Sequence, residues 1–201
     1  MNKNTCWFFG DSFTNGDGCK PEDPYYKKHP NGKLWTTRVS NHFEMNEKNI
    51  SRGGCSNQYI LNNIILNLPN IDEKDIVILS DTIPTRTLWY DDTNEQRHSI
   101  IEESESVFHN KRDKVILNYI TEQLLPHEKE WENFYLKQYE SLLNELQLRN
   151  VKVLFWSYKL WYPPNNTFQT IWDDTDGDID NGHWSWLGHK QMSEYIIGKM
   201  L

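Results

Sequence analysis

Four short apolar runs, separated by segments with helical spacing, constrain this chain more than any other feature. The runs are Cys6-Trp7-Phe8-Phe9, a weaker one around Asn49-Ile50-Ser51, then Ile76-Val77-Ile78-Leu79, and Val151 to Trp156. Runs of this length, apolar at successive positions, suit strands covered on both faces. Between them, Trp35, Val39 and Phe43 share one face of a helix predicted over about 33–44. Ile60, Ile64, Ile65 and Leu68 do the same over about 56–68, and Trp131, Tyr135, Tyr139, Leu142 and Leu146 over about 128–150. A last helix carries Leu187, Met192, Tyr195, Ile196 and Met200, with Ser185 as its cap. Strand and helix in alternation imply an α/β chain with a parallel sheet and helices on both sides.

Two stretches interrupt this rhythm. Residues 84–126 combine a turn-rich piece with one or two helices and are expected to form an inserted cap. Residues 158–182 read as loop, rich in Trp, Pro, Asn and Asp. The length of 201 residues fits a single domain spanning 1–201.

The formal net charge of −8 argues against a nucleic-acid binder, which needs a basic surface to neutralise phosphates. Cys6, Cys19 and Cys55 fit neither a disulfide framework nor a zinc site and are expected to be free thiols. No apolar stretch has the length of a membrane span, and the N-terminus lacks a signal-peptide pattern. A cytoplasmic location is expected on these grounds. The acidic group Asp173, Asp174, Asp176, Asp178 and Asp180 lacks the Gly and terminal Glu of a calcium loop and reads as a solvated acidic loop.

Two places carry candidate chemistry. Gly10-Asp11-Ser12-Phe13-Thr14 follows the first run directly, so Ser12 falls where open parallel sheets bind ligands. Near the other end stands Asp180-Asn181-Gly182-His183, followed by Trp184-Ser185-Trp186-Leu187-Gly188-His189. A serine hydroxyl needs a base to take its proton, and a histidine needs an acceptor to fix its tautomer. An Asp three residues before a His can supply that acceptor within one turn.

The order of these motifs, G-D-S-F-T after a strand and D-x-x-H before a final helix, resembles the SGNH hydrolases, also called GDSL-like lipases and esterases. The resemblance spans nearly the whole chain. It implies a three-layer α/β/α sandwich of flavodoxin-like topology and a serine esterase that uses no metal or organic cofactor. Carried over residue by residue, it implies Ser12 as nucleophile, His183 as base and Asp180 as the orienting carboxylate, with Asp178 as fallback. His189 is the weaker candidate for the base and reads as structural.

Gly53-Gly54-Cys55-Ser56-Asn57 looks like the second family motif, with Gly54 giving a backbone N–H to the oxyanion hole beside that of Ser12. The third motif departs from the pattern. Leu79-Ser80-Asp81-Thr82-Ile83-Pro84-Thr85-Arg86 has no Asn, and a hydroxyl from Thr82, or from Ser80, is expected in its place. Asp11, Arg86 and Trp184 are candidates for substrate contact. The implied substrate is a small acyl ester, with acetyl on a carbohydrate favoured because the loops are aromatic and polar. The competing expectation is a catalytically weak or silent binding or structural protein of this fold, such as a virion component of a phage-encoded member.

Overall fold

The computed structural model describes residues 4–84, 86, 88–90, 96–98, 122, 125–160, 168–175 and 182–201. The elements in chain order are β1 (Thr5–Phe9), α1 (Ser12–Asn15), α2 (Pro24–Lys28), α3 (Trp35–His42), β2 (Asn46–Asn49), α4 (Asn57–Asn67) and β3 (Ile76–Ser80). A hairpin of β4 (Leu88–Tyr90) and β5 (Gln96–His98) follows, then α5 (Glu128–Leu148), β6 (Lys152–Trp156), α6 (Ile171–Asp174) and α7 (Trp186–Met200).

The main sheet is parallel throughout, in the order β2-β1-β3-β6. This is the spatial order in which a flavodoxin-like sheet places its first four strands. Strand periodicity divides the side chains between two cores. Cys6, Phe8, Ile76 and Ile78 pack with Trp35 and Val39 of α3 and with Met192, Ile196 and Met200 of α7. Trp7, Phe9, Val77 and Leu79 pack on the other face with Ile60 and Ile64 of α4 and Tyr139, Leu142 and Leu146 of α5. The result is the three-layer α/β/α arrangement.

Three of the four expected strands and all four major helices form close to their expected bounds. The weak run around Asn49-Ile50-Ser51 is corrected. β2 ends at Asn49, and Asn46, Glu47 and Lys48 are exposed. Its place is set by pairing with β1, Thr5 to Asn46 through Phe8 to Asn49, and not by its own apolar content. Most of the expected 84–126 cap, including its helices, lies outside the described residues, which there show the β4–β5 pair. The three cysteines are free and buried. Among the described residues, no helix is long and apolar enough to cross a membrane.

Candidate active site

The carboxyl ends of β1, β2 and β3 deliver three turns to one place. Phe9 lies beside Leu79 in the sheet register, so the residues that follow, Gly10 to Ser12 and Ser80 to Thr82, emerge at the same level. Gly10 is required by crowding. A Cβ there would fall 2.3 Å from Thr14 Oγ1 and 2.4 Å from Ser80 Oγ. Asp11 is the N-cap of α1, its carboxylate accepting from the Phe13 N–H at 3.1 Å. Ser12 opens that short helix and is 6% exposed. The Ser12 carbonyl is held by the N–H groups of Gly16 and Asp17, at 2.9 and 3.0 Å.

The glycine turn docks directly on this one. The Gly10 carbonyl accepts from the Arg52 N–H at 3.2 Å and from the Cys55 thiol at 3.3 Å. Gly54 has φ +67°, a left-handed conformation that a side chain would strain. Ser56 then caps α4, accepting from the Tyr59 N–H at 3.3 Å.

The β3 turn is fastened to both. The Thr82 hydroxyl donates to Asp11 Oδ2 at 2.9 Å, and Arg86 Nη1 reaches the same oxygen at 3.1 Å and Thr82 Oγ1 at 2.6 Å. From the α4 side, Asn57 clasps the Thr82 backbone: Nδ2 donates to its carbonyl at 2.8 Å, and Oδ1 accepts its N–H at 2.9 Å. Asn57 Oδ1 also accepts from the Tyr139 hydroxyl at 3.0 Å. Asn57 has no role among the sequence expectations. Its signal is the Asn closing G-G-C-S-N, a position that faces the β3 turn once β2 and β3 both pair with β1.

These contacts involve three of the candidates. Asp11 and Arg86, expected at the substrate, are 0% and 5% exposed and meet each other. A buried charge needs a partner, and each is the other's. Thr82 has one hydroxyl proton, and in this arrangement it is donated to Asp11.

His183 enters from the loop before α7. Its ring lies 5.0 Å from that of Phe13, the neighbour of Ser12. The loop is pinned to residues 169–171 by an antiparallel bridge of Thr170 with Trp184. The Ile171 N–H also donates to the His183 carbonyl at 2.7 Å, and the Ser185 N–H to the Gln169 carbonyl at 3.0 Å. Ser185 caps α7, accepting from the Gly188 N–H at 3.2 Å. Burial pushes the His183 imidazole below its ordinary pKa, and Arg86 adds to this, whereas Asp17, Asp11 and Asp23 oppose it. Near neutral pH the ring is therefore uncharged, as a base must be.

Trp184, the third candidate for substrate contact, is 1% exposed and packs against Phe13, Trp156 and Phe168. A large flat ring behind the base loop fills the core and anchors the loop from inside. His189 is fully buried, Nδ1 accepting from the Trp35 N–H at 3.4 Å, and burial drives its pKa down to about 3. Asp180 and Asp178 lie outside the described residues. Asp81, unassigned from sequence, is buried at the same end of the sheet. It accepts from the Tyr158 N–H and, at 3.3 Å, from the Ser157 hydroxyl, and burial raises its pKa to about 7.

No family model matches the chain, and no curated protein matches it. Solved structures do. It is similar to a member of the lipolytic protein G-D-S-L family from Veillonella parvula, at 18% identity and TM-score 0.40, over 96% of each chain. It is similar also to the lipase/acylhydrolase from Enterococcus faecalis, at 15% identity and TM-score 0.41, over 98% of this chain and 94% of the other. A carbohydrate esterase aligns at 10% identity and TM-score 0.43, over 99% of this chain and 68% of its own. The chain is thus similar, along nearly its full length, to solved lipolytic and esterase structures.

Proposed function

We propose that this protein is a serine esterase that cleaves a small acyl ester. The observation that carries the reading is the approach of His183 to the Ser12 turn, with Phe13 and His183 rings 5.0 Å apart, at the carboxyl end of a parallel sheet. Ser12 Oγ attacks the ester carbonyl carbon as its proton passes to His183. The carbonyl oxygen becomes an oxyanion, held by the backbone N–H groups of Ser12 and Gly54. Collapse expels the alcohol, which takes the proton back from His183 and leaves an acyl-enzyme. Water repeats the sequence and releases the acid. Asp180 holds the imidazole in the tautomer this requires. Acetyl on a carbohydrate is the favoured substrate chemistry. The half-buried Trp186 and Tyr26, whose rings meet at 6.1 Å beside the base loop, offer aromatic faces for a sugar ring.

The contrasting reading, a binding or structural component with little turnover, is favoured by one observation: the Thr82 hydroxyl is bonded to Asp11 at 2.9 Å. A fluorophosphonate probe separates the two. Labelling of the parent that disappears in Ser12→Ala supports the esterase, and acetyl esters are then expected to turn over faster than long-chain esters. A folded parent that does not label supports the binding component.

A further inference from the structure

A buried ion pair is a poor way to stabilise a fold. Removing two charges from water costs about as much as their attraction returns, and an apolar pair of the same volume does as well or better. The Arg149–Glu145 and Lys190–Glu194 pairs are exposed, which avoids that cost. Asp11 and Arg86 do not avoid it, and Asp11 caps the short helix that the proposed nucleophile opens.

The pair links three things that have to be held in register. One oxygen of Asp11 accepts the Phe13 N–H and so sets the first turn of α1, where Ser12 stands. The other accepts both the Thr82 hydroxyl and Arg86. Arg86 also holds Thr82 Oγ1 from its other side, so that hydroxyl has one orientation, between an acceptor and a donor. The His183 ring rests 5.0 Å from that of Phe13, whose N–H Asp11 accepts, so the pair's two charges act on His183 with opposite sign, Asp11 favouring its protonated form and Arg86 its neutral form.

We propose that Asp11 and Arg86 are a positioning pair for the nucleophile turn, fixing Ser12 against the β3 turn through Thr82 and cancelling one another's charge beside His183. The role in positioning Ser12 rests on the esterase reading. The effect on His183 does not. Among the described residues, the charges that act on His183 include Asp17, Asp11, Asp23 and Arg86, and its ring is in turn felt by His189. Asp17 and Asp23 act in the same sense as Asp11, so removing Asp11 weakens that influence without abolishing it.

Two measurements on Arg86→Lys, Arg86→Met, Asp11→Asn and the double variant Asp11→Asn/Arg86→Met test the pair, each variant first checked for cooperative unfolding. The first is the His183 titration, followed by its ring signals in NMR. It is expected to move to higher pH in Arg86→Met, to lower pH in Asp11→Asn, and to return toward the parent in the double variant. Shifts of one sign in both single variants, or no shift, would overturn the proposal, whatever the catalytic status of Ser12. The second is the rate of fluorophosphonate labelling. Arg86→Lys keeps the charge, but its shorter chain lacks the rigid guanidinium that sets Nη1 between Asp11 and Thr82. It is expected to leave the His183 titration in place and slow labelling on the order of 100-fold, the cost of a small misplacement of a reacting group. Labelling at the parent rate would show that the pair does not position Ser12. A parent that never labels would instead overturn the esterase reading, with the NMR result still deciding the effect on His183.

Discussion

The two halves of the candidate site are held by different forces. The nucleophile side is a lattice of polar contacts, in which Asp11, Thr82, Arg86 and Asn57 join turns from three elements through bonds of 2.6–3.1 Å. The base side joins its backbone bonds to residues 169–171 with aromatic packing, Trp184 being wedged among Phe13, Trp156 and Phe168. Hydrogen bonds fix distance and direction but depend on charge state. Packed rings depend on volume and ignore pH and salt. A nucleophile must be placed closely before it can react, whereas a base ring needs a stable wall behind it, and each half has the kind of support that suits it.

The comparison breaks most visibly at Trp184. Trp184→Ala empties a large core volume and is expected to cost about 3–5 kcal/mol in denaturant unfolding, equally at low and high salt. A loss that shrinks with salt would show that the base side is not held by packing. Asn57→Ala tests the other half. It leaves the Thr82 N–H and carbonyl and the Tyr139 hydroxyl without their partner, and is expected to cost about 1–3 kcal/mol while slowing labelling of Ser12. Unchanged labelling would mean that the β3 turn holds its place without the clasp.

Taken per pH unit, the smallest effect is the pH dependence on the base side. His189 has its folded-state pKa depressed to about 3, so its contribution to stability is complete above the ordinary histidine value near 6.5. It is lost at about 1.4 kcal/mol per pH unit as pH falls from there toward 3. Asp81, raised to about 7, acts in the opposite sense, losing its contribution as pH rises from the ordinary carboxylate range through 7. The readout is therefore the difference between the parent and His189→Gln, which is expected to shrink as pH falls below 6.5. A difference that stays constant with pH would contradict burial of a neutral ring.

The parts of this molecule legible in the sequence are those where a residue's own pattern decides its place. The runs at Cys6, Ile76 and Val151 are apolar enough to require cover on both faces, and Ser185 caps α7 by strictly local geometry. Trp7 and Trp35 are core residues, as their strand and helix positions implied. What was not legible depends on partners distant in the chain. β2 takes its register from β1. Arg86 reads as a loop charge until Asp11, 75 positions earlier, is placed against it. The direction of the Thr82 hydroxyl proton is set by those same two residues. Trp184, beside a histidine in an irregular segment, gave no sign of facing inward.

β2 has a consequence for how these molecules behave in company. Among the described residues it is the outer strand of the sheet, and an open strand edge is a template on which another chain can add. Its sequence is Asn-Glu-Lys-Asn, with Lys48 folded over the Trp7 ring at 4.0 Å. An approaching strand would have to strip water from Glu47 and Lys48 before its first backbone bond formed. The weakest strand in the sequence thereby guards the sheet against fibrous self-association.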